Sequence, residues 1–221
     1  MTTHMKNEIE KLKKKLLALS AEVEQQLWLA VKSIKERDDR MARRVIEQDL
    51  NIDQNEVDVE EECLKILALY QPVAVDLRFI VTAFKINNDL ERIGDLSVNI
   101  AERSDFLARH EPVNVPFDFD RMAQLTQTMV RDGIAALVNL DCVLAYGVCR
   151  RDDEVDAMNK QMYDQVKQGI LEHPDHIESL IHLLSVSRHL ERIADHATNI
   201  AEDVIYMVEG RIIRHKTEEY T

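Results

Sequence analysis

The chain has 221 residues, 45% hydrophobic and 31% charged, with a formal net charge of −13 at pH 7. That size allows one large or two small domains. The acidic balance argues against duplex nucleic acid, which is held by clustered Lys and Arg, and against an anionic membrane surface. Only 5 Gly and 4 Pro leave little material for turns between strands, which suits long helices.

Ile9, Leu12, Leu16, Leu19, Val23, Ala30 and Ile34 follow the 3-4 spacing of a bundle helix, with Gln26 interrupting and Leu27 beside it. The pattern predicts a first helix of about 30 residues, ending near the charged run Arg37-Asp38-Asp39-Arg40. A second runs from about Met41 to Tyr70 along Val45, Ile52, Val59, Cys63 and Ile66, with Asp49 and Glu56 at seam positions where apolar residues are expected. Pro72 suits the first turn of a third helix. That helix reaches about Ala108 through Phe79, Ala83, Ile86, Leu90, Ile93 and Ile100, roughly 50 Å of helix.

Pro112 and Pro116 then interrupt the periodicity between Arg109 and Asp120, marking the domain boundary. A fourth helix is predicted from about Phe119 to Tyr146, closed by Gly147. A fifth spans about Arg151 to Leu171, and a sixth runs from Pro174 to about Val208 with Gly210 past its end. The expected fold is all-α, two tandem three-helix bundles over 1–110 and 117–221. No apolar run reaches the roughly 20 residues of a membrane span, and the Lys-rich start continues into an amphipathic pattern unlike a signal peptide. Cys63, Cys142 and Cys149 form no close CxxC pair and read as reduced, mostly buried thiols of a cytoplasmic protein.

The two halves are internally similar. Leu90-Glu91-Arg92-Ile93-Gly94-Asp95 returns as Leu190-Glu191-Arg192-Ile193-Ala194-Asp195, and Asn99-Ile100-Ala101-Glu102 as Asn199-Ile200-Ala201-Glu202. On a helix Glu91, Asp95 and Asn99 stack on one face, and the two carboxylates repel by a few tenths of a kcal/mol unless something positive lies between them. Asp49-x3-Asp53 opens the second helix in this reading and Asp152-x3-Asp156 the fifth. Antiparallel packing brings the first pair towards Asp95, Asn99 and Glu102, and the second towards Asp195, Asn199 and Glu202. All-oxygen clusters of this kind suit hard cations such as Mg²⁺, Mn²⁺ or Ca²⁺, or iron. The same acids could equally be solvated or paired with Arg92, Arg192, Arg188 or Arg78; the duplication shifts the balance towards metal.

His182, His189 and His196 occupy successive heptad positions of the sixth helix. Their first-half counterparts Thr82, Asp89 and Leu96 share no such chemistry, so they read as ordinary surface histidines. A carboxylate-bridged metalloenzyme is the competing function class. Di-iron bundles need paired Glu-x-x-His motifs, and Glu178-x3-His182 has the wrong spacing. Gly-rich phosphate loops and GxSxG are also missing, so an enzyme is not expected.

Gln71-Pro72-Val73-Ala74-Val75-Asp76-Leu77-Arg78, the two LERI(G/A)D segments and their NIAE continuations closely resemble the PhoU family, accessory regulators of bacterial phosphate-specific transport. The resemblance covers essentially the whole chain. It implies polynuclear centres of iron or another divalent metal (zinc, manganese or magnesium) on E/DxxxD motifs, here Asp49, Asp53, Glu91 and Asp95, then Asp152, Asp156, Glu191 and Asp195. Asp153 and Glu154 offer alternative registers at Asp152. Gly94 against Ala194 is a departure within the repeat, costing roughly 1 kcal/mol of helix propensity unless close backbone approach requires it. The resemblance further implies a cytoplasmic negative regulator of the phosphate-starvation response and of phosphate uptake. Such a regulator connects the phosphate ABC transporter ATPase subunit to a sensor histidine kinase, with Arg78 a plausible partner contact. Pairing with a second copy as a homodimer is an expectation of the same kind.

Overall fold

Aspartate side chains start three of the helices. Asp38 accepts from the backbone N–H groups of Arg40 and Met41, Asp118 from Arg121 and Asp141 from Leu144, each satisfying donors a helix start leaves unpaired. The computed structural model describes residues 3–113 and 117–211. Its helices are α1 (Thr3–Glu36), α2 (Asp39–Tyr70), α3 (Ala74–Ala108), α4 (Phe119–Asn139), α5 (Cys142–Glu172) and α6 (Ile177–Glu209), with a 3₁₀ turn at Pro174–His176. The described residues contain no strand. None of the described helices is long and apolar enough to cross a membrane.

Four expected boundaries move, among them the start of the fifth helix, which lies at Cys142 and not near Arg151. The fourth helix stops at Asn139, not Tyr146, because Leu140 turns into the left-handed region (φ 54°) and Asp141 caps the next helix. Gly147 lies inside α5 with nothing within 4 Å of where a Cβ would stand. A side-chain cap worth about 1 kcal/mol outweighs a weak glycine stop signal. Pro72 precedes α3 instead of sitting in its first turn, and Pro174 lies in the 3₁₀ turn before α6. Pro116 of the expected boundary lies outside the described residues.

Helices α1, α2 and α3 pack on one another, as do α4, α5 and α6, while α3 against α6 and α1 against α4 join the halves. One continuous apolar core runs through both, from Leu12, Leu19 and Ile66 to Ile193, Ile200 and Val204. Each fully buried Leu or Ile contributes about 1.5–3 kcal/mol of transfer free energy. The burial pattern repeats at a shift of 103 residues (141 − 38, between the two caps). Leu19, Val23, Gln26, Leu27 and Ala30 are buried on α1, and Met122, Thr126, Met129, Val130 and Gly133 on α4. The seam also carries polar contacts: Lys85 Nζ donates to Asp203 Oδ1 at 2.9 Å, and Lys35 Nζ to Asp120 Oδ2 at 2.9 Å.

Candidate metal centres

Both DxxxD pairs sit deeper in their helices than expected, and at matching depth. Asp49 and Asp152 each follow the first residue of their helix by ten positions (49 − 39 and 152 − 142). The fifth helix therefore begins well before Arg151, and neither pair opens its helix. Packing of α2 on α3 and of α5 on α6 still brings each pair against its LERI(G/A)D segment.

In the first half, Asp49 is half-buried and accepts from Gln26 Nε2 at 3.0 Å. Burial raises its carboxyl above the usual range; the Gln26 amide opposes this, and the charges of Asp53 and Asp95 add to it. Glu91 is raised by burial first, then by Asp95, Glu56 and Asp53, against the pull of Arg92. Arg92 lies over the pair, with Nη1 3.2 Å from Asp95 Oδ2 and Nε 3.4 Å from Glu91 Oε2. Even so, Glu91 Oε2 is buried without a hydrogen-bond partner. Glu56 joins this face. Asn87 Nδ2 donates to it at 3.0 Å, and burial, then Glu60 and Asp53, push it up. Its position on the seam of the second helix was the sequence signal for it.

The second half is the more crowded with charge. Burial, then Asp195 and Asp156, push Asp152 up to about 6. Partial burial, then Glu191 and Asp156, push Asp195 up to about 6. Glu191 and Asp156 are raised as well, burial first in each. Arg188 and Arg192 ease Glu191 at a distance, without the direct bridge Arg92 makes. Asp152 Oδ1 and Thr198 Oγ1 are both buried without a hydrogen bond of good geometry, although the Thr198 hydroxyl lies near enough to ease the Asp152 carboxyl. One turn before Asp152, the Cys149 thiol is held protonated, its pKa pushed to about 12 by burial and then by Glu202 and Asp152.

The four outlying candidates diverge. Asn99 Nδ2 donates to the Asp95 carbonyl of its own helix at 2.9 Å. Asn199 turns to the seam and donates to Asp89 Oδ1 at 3.2 Å. Glu102 is exposed, 3.9 Å from Arg103, whereas Glu202 is buried and shares Cys149 as a neighbour with Asp152.

The histidine stripe is not a surface feature. His196 Nδ1 lies 2.8 Å from Asp89 Oδ1, and His182 stacks on Phe106 of α3 with ring centroids 3.7 Å apart. His189 is pushed down to about 4 by burial first and then by Arg103. All three face α3, because the α3–α6 packing that joins the halves claims that side of α6.

Arg78 lies half-buried in the second turn of α3, its Nε without a hydrogen-bond partner and Nη1 3.7 Å from where a Cβ of Gly210 would stand. It lines a groove of about 610 Å³ with Lys6, Lys13, Leu17, Phe79 and Val208.

Hard, multi-oxygen donor sets with buried carboxylate oxygens that lack a hydrogen bond at Glu91 and Asp152 suit a bound cation, which would satisfy those atoms and relieve the crowded charge. Among the described residues no three His, Cys, Asp or Glu side chains already close around one point. The carboxylates line each face, and the side chains would have to turn inward to chelate.

These features define a class: an all-helical tandem-repeat protein with one acidic face per half. The PhoU domain model matches residues 16–104 and 119–204, and the chain belongs to that family. It is 38% identical over 209 residues to the phosphate-specific transport system accessory protein PhoU homolog of Aquifex aeolicus, covering 95% of each chain. The crystal structure of PhoU from Pseudomonas aeruginosa superposes with a TM-score of 0.89 at 36% identity, covering 93% of this chain and 99% of that one. The phosphate transport system regulatory protein PhoU from Streptococcus pneumoniae gives a TM-score of 0.85 at 26% identity, covering 94% and 98%.

Proposed function

We propose that this chain is an accessory regulator of a phosphate-specific transport system, a cytoplasmic, non-enzymatic adaptor that represses the phosphate-starvation response and restrains phosphate uptake when phosphate is plentiful. The observation that carries this reading is the match of both halves to the PhoU domain, joined by relatives named as accessory proteins of such a system. Its partners in this proposal are the phosphate ABC transporter ATPase subunit and a sensor histidine kinase, and it pairs with a second copy. The groove beside Arg78 supports a docking role, since its apolar side chains, rimmed by Lys6, Lys13 and Arg78 together with Glu10 and Asp76, suit the desolvated centre of an interface with a charged rim.

Metal belongs to the same proposal. Asp49, Asp53, Glu91 and Asp95 would hold it in the first half, with Asp152, Asp156, Glu191 and Asp195 in the second. Bound iron, zinc, manganese or magnesium would supply positive charge that ties α2 to α3 and α5 to α6.

The test is genetic. Deleting the coding gene should leave phosphate-starvation genes expressed in high phosphate, and the wild-type chain should restore repression. A folded Arg78→Ala chain should restore it poorly. Full repression in the deletion strain would sink the regulatory reading.

A further inference from the structure

Gln26 interrupts the apolar spacing of α1, yet it is only 3% exposed. Its amide orientation is fixed by its neighbours. Nε2 lies 3.0 Å from Asp49 Oδ1 and 3.5 Å from the Val45 carbonyl, two acceptors that only the nitrogen can serve. Oε1 is left buried without a hydrogen-bond partner, a costly arrangement for an amide carbonyl. It faces α3 at Gly94, where a Cβ would stand 3.3 Å from Oε1, 3.3 Å from Ile52 Cγ2 and 3.7 Å from Asp49 Oδ1. Gly94 lies between Glu91 and Asp95 in sequence, and Asp49 Oδ1 is 3.7 Å from the same Cβ position, so the orphaned carbonyl lies beside the α3 segment that carries the first acidic pair. The glycine leaves room for this contact at a cost in helix propensity.

The second half lacks the arrangement. The shift of 103 residues places buried Met129 where Gln26 stands, and Ala194 replaces Gly94. A thioether carries no donor for Asp152. The hydroxyl that eases that carboxylate belongs to Thr198 on α6, where the first half has Val98.

We propose that Gln26 is the positioning residue of the first metal centre: Nε2 holds Asp49 beside Glu91 and Asp95, and Oε1 accepts a hydrogen bond from a water on the bound cation. The two centres are therefore unequal, with an amide-supported first site and a second site built without one. This rests on the metal reading above.

Calorimetric titration of the full chain with Mn²⁺ tests it, because Mn²⁺ suits oxygen donors. An Asp152→Asn/Asp195→Asn background isolates the first centre and an Asp49→Asn background the second. Gln26→Met, which copies the residue at 129, should weaken the first centre roughly 10–100-fold, the usual effect of removing an outer-shell partner. It should leave the second centre unchanged and the melting temperature within a few degrees of wild type, since losing the Nε2 hydrogen bonds to Asp49 and Val45 is offset by removing the buried, unpartnered Oε1. Gln26→Asn keeps an amide too short to reach Asp49 and should weaken the first centre equally. Unchanged first-centre affinity in both variants overturns the role of Gln26 and leaves the metal reading standing. Equal losses at both centres, or a collapsed melting temperature in both variants, mark a packing defect and overturn it too. A wild-type chain that takes up no Mn²⁺ at either centre defeats the metal reading itself, and this inference with it.

Discussion

His196 Nδ1 stands 2.8 Å from Asp89 Oδ1, joining the central helices of the two halves across their shared core. At the shift of 100 residues that relates LERIGD to LERIAD, the mirror-related positions are His189 and Leu96, so the repeat does not reproduce this contact. Asn199 donates to the same carboxylate oxygen at 3.2 Å. Asp89 is 8% exposed, so removing it strips both donors of their acceptor, and removing His196 leaves the buried carboxylate with Asn199 alone. Asp89→Ala and His196→Ala should each cost about 1–3 kcal/mol, a fall of about 2–4 °C in melting temperature per kcal/mol in a chain of this size. In a double-mutant cycle the pair should cost less than the sum. Strict additivity would show that the contact contributes nothing.

Metal content should follow the carboxylates. Changing Glu91, Asp95, Glu191 and Asp195 together to Gln and Asn should abolish metal uptake in protein purified without chelator, with helicity nearly unchanged because these groups lie outside the apolar core. Elemental analysis reads the outcome, and metal per chain equal to wild type would place any site elsewhere.

Metal-free protein should gain stability on mild acidification. Asp152 and Asp195 are pushed up to about 6 in the folded chain, against about 4 for an ordinary aspartate. The folded state therefore binds protons more readily than the unfolded one. The penalty for keeping these carboxylates charged is full above pH 6 and is relieved as pH falls towards 4. The melting temperature of chelator-treated protein should rise by a few degrees between pH 7.5 and 5, and Asp152→Asn/Asp195→Asn should flatten the rise. Metal-loaded protein should move the other way, since protons compete for the ligands. A chelated wild type that follows the double variant at every pH would contradict the shifts.

Two glycines should respond differently to alanine. Gly147 is mid-helix with open space where a Cβ would go, so Gly147→Ala should stabilise by up to about 1 kcal/mol. Gly94→Ala meets Gln26 Oε1 and Ile52 at 3.3 Å, and crowding should consume most of the same propensity gain. Thermal melts of the two variants decide it; equal gains would mean the Gly94 contact is not tight.

The sequence by itself determined much of this protein. Helix periodicity is local, so the apolar stripes of Leu12–Leu16–Leu19 and Ile86–Leu90–Ile93 could be read one helix at a time. The duplicated Glu91/Asp95 and Glu191/Asp195 pairs needed only the i, i+4 rule to be placed on one face. What lay beyond local rules was decided by packing. Gln26 looked like a flaw in an apolar stripe until α2 brought Asp49 to its amide and Gly94 let α3 approach its carbonyl. The α4–α5 turn fell at Leu140 and Asp141 because a side-chain cap there outweighed the glycine seven residues on. The His182, His189 and His196 stripe carries no sign of its partner in sequence. Only the docking of α6 on α3, driven by a core continuous through both halves, turned those rings inward, since a helix's own periodicity does not specify which neighbour will cover its second face.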